Sequence, residues 1–223
     1  MREVVLDTET TGLDPAAGHR VVEIGCVELL HHVETGRTFH TYVNPDRSIP
    51  AEAFAVHGIS DDFLADKPRF AAIAEALLAF LGDSPLVIHN AAFDLGFLNA
   101  ELGRIDHAPL TTDRAIDTVQ LARRKFPGSP ASLDALCRRF QVDLSDRTTH
   151  GALKDARLLS LVYLELVGGR QPGLELVTTS GRVARPTELP SRVARLSVPT
   201  QEEQQAHAEF VARLPDSVWR SPR

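Results

Sequence analysis

The sequence predicts an α/β fold with a mixed sheet, and two observations carry that prediction. The N-terminal part holds apolar runs of strand length separated by turn residues, which reads as an antiparallel meander. Beyond it, segments with apolar residues at helical spacing alternate with a short buried strand, the pattern of helices crossing over a sheet. A length of 223 residues allows one sizeable domain and an extension. Hydrophobic residues at 43% and charged residues at 24% suit an ordinary water-soluble protein. No apolar run approaches the roughly 20 residues that span a bilayer, and Met1 leads into strand-like Glu3-Val4-Val5-Leu6, so no signal peptide is expected. Cys26 and Cys137 are isolated, with no CxxC pairing and no nearby histidine. The expectation is free thiols in a reducing cytoplasm, with no membrane involved.

Val4-Val5-Leu6 reads as a short buried strand ending at Asp7. Arg20 to Leu30 and Thr38 to Val43 read as two more strands, with His31 to Arg37 turning between them. Phe70 to Leu81 carries Ile73, Ala74, Leu77, Leu78 and Leu81 at helical spacing and stops at Gly82. Leu86-Val87-Ile88 is a brief buried strand, and a helix is predicted from about Phe93 to Leu102. Two further helices fit Thr118 to Lys125 and Ser132 to Phe140, the second with Ser132 as N-cap and Asp134 in its first turn. A last long helix, from about Gly151 to Leu166, is apolar nearly all round, which predicts burial.

Gly168-Gly169 closes that helix, and residues 1–169 form the predicted domain. Beyond it the periodicity is lost, Pro172, Pro186 and Pro190 interrupt, and Arg182-Val-Ala-Arg185 recurs as Arg192-Val-Ala-Arg195. Residues 170–199 are expected to be a flexible, mildly basic tether. Order is expected again in 200–223. There Thr200 and Glu203 form a capping box, and His207, Phe210, Val211 and Leu214 line one face of a helix. So short a helix is not stable alone in water, so its apolar stripe, with Trp219 beyond, calls for a partner surface.

Four carboxylates and one histidine carry the chemistry. Asp7 and Glu9 are two apart on a strand, so both side chains point to one face and can hold a hard cation jointly. Thr10-Thr11-Gly12 turns sharply after them. A bare DxE is usually a pair of solvated charges, but here the preceding residues are apolar and the strand is interior. Asp94 lies in the first turn of a helix after a buried strand, where it is either a dipole-stabilising acid or a functional one. Asn90, in the turn before it, is a plain turn residue or orients a substrate. His150 precedes the last helix and Asp155 lies on it, somewhat over one turn apart, so both reach the same sheet edge. A histidine is a natural general base for water, although a lone one is more often a cap or a surface residue. Four acids in one place repel one another unless divalent cations lie between them, which suggests metal-assisted cleavage of a phosphate ester.

The order D-x-E, N-x-x-x-D, H-x-x-x-x-D resembles the DEDDh 3′→5′ exonucleases, which have a ribonuclease-H-like fold. The stretches FHTYVNPDRSIPAEAFAVHGISDDFLADKP, LVIHNAAFDLGFL, SLDALCRRF and RTTHGALKDARLL are similar to the proofreading (epsilon) subunits of bacterial DNA polymerase III. The resemblance covers roughly residues 1–169 and implies a ribonuclease-H-like sheet, with three antiparallel strands followed by parallel ones. It implies two divalent ions, Mg²⁺ or Mn²⁺. Asp7, Glu9 and Asp155 would hold the first, Asp7 would bridge to the second, and Asp94 would hold that one directly or through water. His150 would deprotonate the attacking water. Glu52 would bind the 3′-hydroxyl region of the terminal nucleotide, and His57 would pack on the nucleotide or hydrogen-bond to it. The expected reaction is hydrolysis at a single-stranded or frayed 3′ end of DNA, releasing nucleoside 5′-monophosphates.

The resemblance extends to partners. Gln171, Leu174 and Leu176 are similar to the Q-x-x-L-x-[LF] peptides that dock on a sliding clamp, with Pro172 and Gly173 implying weak binding. The tail resembles a polymerase-binding segment with Phe210, Val211, Leu214 and Trp219 as anchors. A small third core subunit is implied as well. A net charge of −6 is unexpected for a protein that grips nucleic acid unaided. It agrees with a local hold on the substrate, or with partners that supply the grip. Two other readings share these residues: a free-standing DEDDh exonuclease acting on RNA or oligonucleotides, and a non-catalytic module bridging polymerase and clamp.

Overall fold

The computed structural model describes residues 1–144, 150–169 and 198–214. The chain divides into two units, Met1–Leu174 and Glu175–Arg223. In the first, β1 (Arg2–Thr10), β2 (Val21–Leu30), β3 (Val33–Tyr42), β4 (Leu86–Ile88) and β5 (Ala115–Asp117) form one sheet in the order β3-β2-β1-β4-β5. β1 and β3 run antiparallel to β2, whereas β4 is parallel to β1 and β5 to β4. The helices are α1 (Ala51–His57), α2 (Asp61–Leu64), α3 (Phe70–Leu81), α4 (Ala91–Gly103), α5 (Thr118–Lys125), α6 (Leu133–Phe140) and α7 (Ala152–Leu166).

Strand alternation sends successive side chains into two separate cores. Val4, Leu6, Ile24 and Ile88 pack on one face with Phe70, Leu77, Leu81 and Leu98 of α3 and α4. Val5, Val27 and Val87 pack on the other with Leu136, Leu159 and Val162 of α6 and α7. The result is a three-layer sandwich with the sheet in the middle. Buried acids that cross these layers are paired. Glu101 of α4, 1% exposed, accepts from Arg20 Nε and a terminal nitrogen at 2.6 and 2.7 Å, which ties the start of β2 to α4.

Several elements depart from the sequence prediction for local reasons. β1 does not end at Asp7 but runs to Thr10, paired with β2 throughout apart from an irregularity after Glu9. The seven-residue turn expected at 31–37 is a two-residue hairpin turn. His31 and His32 have φ of 53° and 66°, the left-handed geometry that matches strand twist, and β3 begins at Val33. Val33 to Thr38 are exposed on the sheet edge and, after Val33, none is a large apolar residue, so they lack the apolar alternation of a strand. α1 was hidden because among its residues only His57 is buried, leaving no apolar stripe. β5 is three residues long and only half-buried. α4 begins two residues early, at Ala91. α7 is not buried all round: Lys154, Arg157 and Leu161 form an outer face, with Leu161 42% exposed.

In the second unit, α8 (Gln201–Arg213) starts with the expected capping box. Thr200 Oγ1 accepts from the Glu203 amide at 3.3 Å, and the Glu203 carboxylate accepts from the Thr200 amide at 2.7 Å. Phe210 is 62% exposed. Residues 170–197 and 215–223, which hold most of the expected tether with Gln171, Leu174 and Leu176, and also Trp219, lie outside the described residues.

Candidate active site

β1 carries Asp7 and Glu9 on the face that looks toward α7. Two residues before Val5 on that face, Glu3 accepts a 2.6 Å hydrogen bond from the Tyr163 hydroxyl of α7. The first turn of α7 comes to the same edge. Oxygen or nitrogen ligand atoms of Glu9, His150 and Asp155 all lie within 4.8 Å of one another. Glu9 and Asp155 are buried, and the His150 side chain is 49% exposed. His150 Nδ1 stands 3.1 Å from Asp155 Oδ2, and its backbone amide donates to Val56 O of α1 at 3.2 Å. Because a carboxylate only accepts, Nδ1 is the donor of this pair.

Asp94 enters from the opposite layer. It lies in the first turn of α4, 3% exposed, and accepts from Thr8 Oγ1 at 2.7 Å. Burial pushes its carboxyl up to about 7, against the lowering effect of Thr8 and of backbone amides. Asp7 is raised well above the usual carboxylate range. Burial is the main cause, followed by the charges of Asp94, Glu9, Asp155 and Glu23. Asp7 therefore feels every other acid of the cluster, and these groups cannot all ionise without a counter-charge. Oxygen donors with one imidazole are the chemistry that Mg²⁺ and Mn²⁺ accept, so the residues present fit divalent cations.

A cleft of about 690 Å³ opens beside the cluster and shares Glu9 with it. Its walls include Leu13, Glu52, Val56, His57 and Phe93, so α1, which the sequence reading did not identify as a helix, supplies one side. His57 is buried, and its Nδ1 accepts from the Ile59 amide at 3.0 Å, which places the proton on Nε2. Burial lowers its pKa, opposed by the charge of Glu23. Asn90 is exposed at the N-cap of α4 with φ 71°, a left-handed position that asparagine tolerates, and it is not among the residues lining the cleft.

The structure thus brings Glu9, His150 and Asp155 into one contact group, couples Asp7 and Asp94 to it, and sets Glu52 and His57 on the adjoining cleft. Sequence reasoning missed Thr8, Leu13, Phe93 and Glu23. Glu23 is a buried acid on β2, opposite Glu9 in register, with its Oε1 2.7 Å from His40 Nε2. A charged residue inside the apolar run Val21-Val22-Glu23-Ile24 was the available signal.

A five-stranded mixed sheet with an acidic cluster at the end of its central strand fits a class of nucleases, and comparison with known proteins agrees. The sequence profile of the family described as Exonuclease matches residues 4–163. The chain is 52% identical to the DNA polymerase III subunit epsilon of Rickettsia conorii, covering 96% of each chain. It is 47% identical to that of Escherichia coli over 176 residues, covering 76% of this chain and 72% of the other. Among solved structures, Exonuclease X in complex with 5′ overhanging duplex DNA superposes with a TM-score of 0.58 at 27% identity, covering 74% of this chain and 90% of that one. The nuclease domain of 3′hExo, a DEDDh family member bound to rAMP, gives 0.64 at 20% identity, over 74% of this chain and 91% of that one, and shares the fold. The chain belongs to the exonuclease family, alongside the DNA polymerase III epsilon subunits, and is a proofreading 3′→5′ exonuclease. No described helix is long and apolar enough to cross a membrane.

Proposed function

We propose that this chain removes mispaired 3′-terminal nucleotides from DNA by phosphodiester hydrolysis, releasing nucleoside 5′-monophosphates. The observation that carries the reading is the meeting of Glu9, His150 and Asp155 beside a cleft of nucleotide size. Asp7, Glu9, Asp94 and Asp155 would hold two divalent cations, Mg²⁺ or Mn²⁺. When bound, these supply neutralisation of the carboxylates, a more acidic water and a stabilised leaving oxygen. His150 takes the proton of the attacking water at Nε2, while Asp155 fixes the ring through Nδ1. Glu52 binds the 3′-hydroxyl region, and His57 packs against the terminal nucleotide from the same wall. A mispaired end enters more readily because unstacking it costs less.

The chain acts as a subunit of the replicative polymerase. α8 supports that reading, because a capped helix with an exposed Phe210 beside Val211 and Leu214 suits docking on the polymerase. Gln171, Leu174 and Leu176 would add a weak hold on the sliding clamp, and a small third core subunit would complete the assembly. Such tethering raises the effective concentration of the nuclease at the primer end. It also lets an acidic protein work on DNA that its partners hold.

The test is a time course on 5′-labelled single-stranded DNA with Mg²⁺, with EDTA, and with Asp7→Ala. The expected outcome is a 3′ ladder that requires metal and vanishes in the variant, whose fold is unchanged by circular dichroism. A folded Asp7→Ala at full rate would sink the assignment.

A further inference from the structure

We infer that Gly25 is a positioning residue of the active site, setting how closely the helix end that carries His150 and Asp155 seats against the strand that carries Asp7 and Glu9. The inference rests on the reading of those four side chains as one metal-dependent centre. Gly25 lies on β2 directly opposite Asp7 in the antiparallel register. A Cβ on it would stand 2.3 Å from the Ala152 carbonyl carbon and the Leu153 nitrogen, and 2.5 Å from Leu153 Cα. All three are backbone atoms of the first turn of α7, so no side-chain rotation can clear the contact. Gly25 is not among the glycines with positive φ, so backbone conformation does not explain it. What it provides is the missing side chain.

The same strand supplies a second contact to that helix end. Glu23, two residues earlier and on the same face, has Oε2 within 3.9 Å of where a Cβ on Gly151 would stand. Gly151 is the N-cap of α7 and offers no side-chain cap, so a carboxylate there complements the positive end of the helix. His40 holds Glu23 in place at 2.7 Å. β2 therefore forms a seat, flat at Gly25 and acidic at Glu23, for the turn that flanks the catalytic groups. Asp155 is tied directly to it, its amide donating to Gly151 O at 2.9 Å.

Restoring an ordinary carbon contact of about 3.5 Å requires the helix end to retreat by roughly 1 Å. Such a retreat would widen the group formed by Glu9, His150 and Asp155. The experiment is Gly25→Ala in the full chain, with Gly103→Ala, where an added Cβ meets open space, as the control. Mn²⁺ binding is measured by titration calorimetry and by the metal-induced rise in Tm, and hydrolysis is followed across Mn²⁺ concentration. The expected result for Gly25→Ala is a folded protein that binds Mn²⁺ about tenfold or more weakly, with activity partly restored at high Mn²⁺. Gly103→Ala should match wild type. A folded Gly25→Ala with wild-type Mn²⁺ affinity would overturn the inference. Should Gly25→Ala fail to fold, Ala152→Val adds bulk at the buried residue whose carbonyl carbon meets the Gly25 position. Weakened Mn²⁺ binding then supports the inference, and unchanged binding overturns it. Asp7→Ala separates the two readings. If it loses Mn²⁺ binding while Gly25→Ala keeps it, only the positioning role fails. If Asp7→Ala keeps both binding and turnover, the metal-centre reading falls first.

Discussion

Asp94 and His150 approach the same cluster from opposite layers of the sandwich, and their surroundings differ in kind. Asp94 is 3% exposed, sealed under α4 and hydrogen-bonded to Thr8, with its carboxyl pushed up to about 7. The His150 side chain is 49% exposed, at the mouth of α7, steadied by Asp155 and by a backbone bond to Val56. A group meant to hold a cation gains from burial, because low dielectric strengthens its attraction to the ion. A group meant to pass protons to and from water needs contact with water. The proposed roles follow this division, and each half of it can be broken separately.

The largest effect is expected on the open side. His150→Ala should lower turnover at saturating Mn²⁺ by about 10²–10⁴-fold, the usual cost of losing a general base. Steady-state rates on single-stranded DNA test this. An unchanged rate would mean that another group takes the proton.

The legible parts of the molecule were those whose signal is local. α3 was read with its full span because Ala74, Leu77 and Leu81 repeat at helical spacing and Gly82 stops the helix. α6 was read from its Ser132 cap, whose Oγ accepts from the Ala135 amide. Four of the five catalytic candidates were visible because Asp7 and Glu9, and His150 and Asp155, lie within a few residues of each other, and Asp94 was visible four residues after Asn90 behind a buried strand. What stayed hidden depends on contacts between distant segments. α1 owes its place to the cleft it walls and to the His150 amide, since it has no apolar face to advertise it. Gly25 looks like any strand glycine until α7 is laid across it. Thr8 looks like a spacer between two acids until α4 brings Asp94 beneath it.

On the sealed side, the expected effect is on stability rather than rate alone. Asp94 has a folded pKa of about 7, above the unfolded carboxylate value of about 3.9. The folded state therefore binds more protons between these values. The stability linked to Asp94 is fully present below the unfolded pKa and is lost as pH rises through about 7. Asp94→Asn removes that dependence. In EDTA the variant should melt above wild type by a margin that grows from about pH 5 to about pH 8. Added Mn²⁺ should close the gap, because the cation stabilises only the chain that keeps the carboxylate. A margin independent of pH would show that Asp94 does not titrate in this range.

The smallest effect sharpens the same contrast from one atom away. Thr8→Val keeps the shape of the side chain and removes the hydroxyl that donates to Asp94 Oδ1 at 2.7 Å. Asp94 then loses a bond that favours its charged form, so its pKa should rise further above about 7. Well above pH 7, where Asp94 is ionised in the wild type, the metal-free protein should lose up to about 1–3 kcal/mol, the cost of leaving a buried charged acceptor short of a partner. Below about pH 5 the carboxyl is protonated with or without Thr8, so the loss should shrink. Hydrolysis should fall only modestly, and more at low than at high Mn²⁺, because the hydroxyl orients a ligand and takes no part in proton transfer. Denaturant unfolding at the two pH values, set beside rates at two Mn²⁺ concentrations, measures both parts. If stability were unchanged well above pH 7 while turnover collapsed, Thr8 would belong with His150 on the chemical side of the site instead of with Asp94.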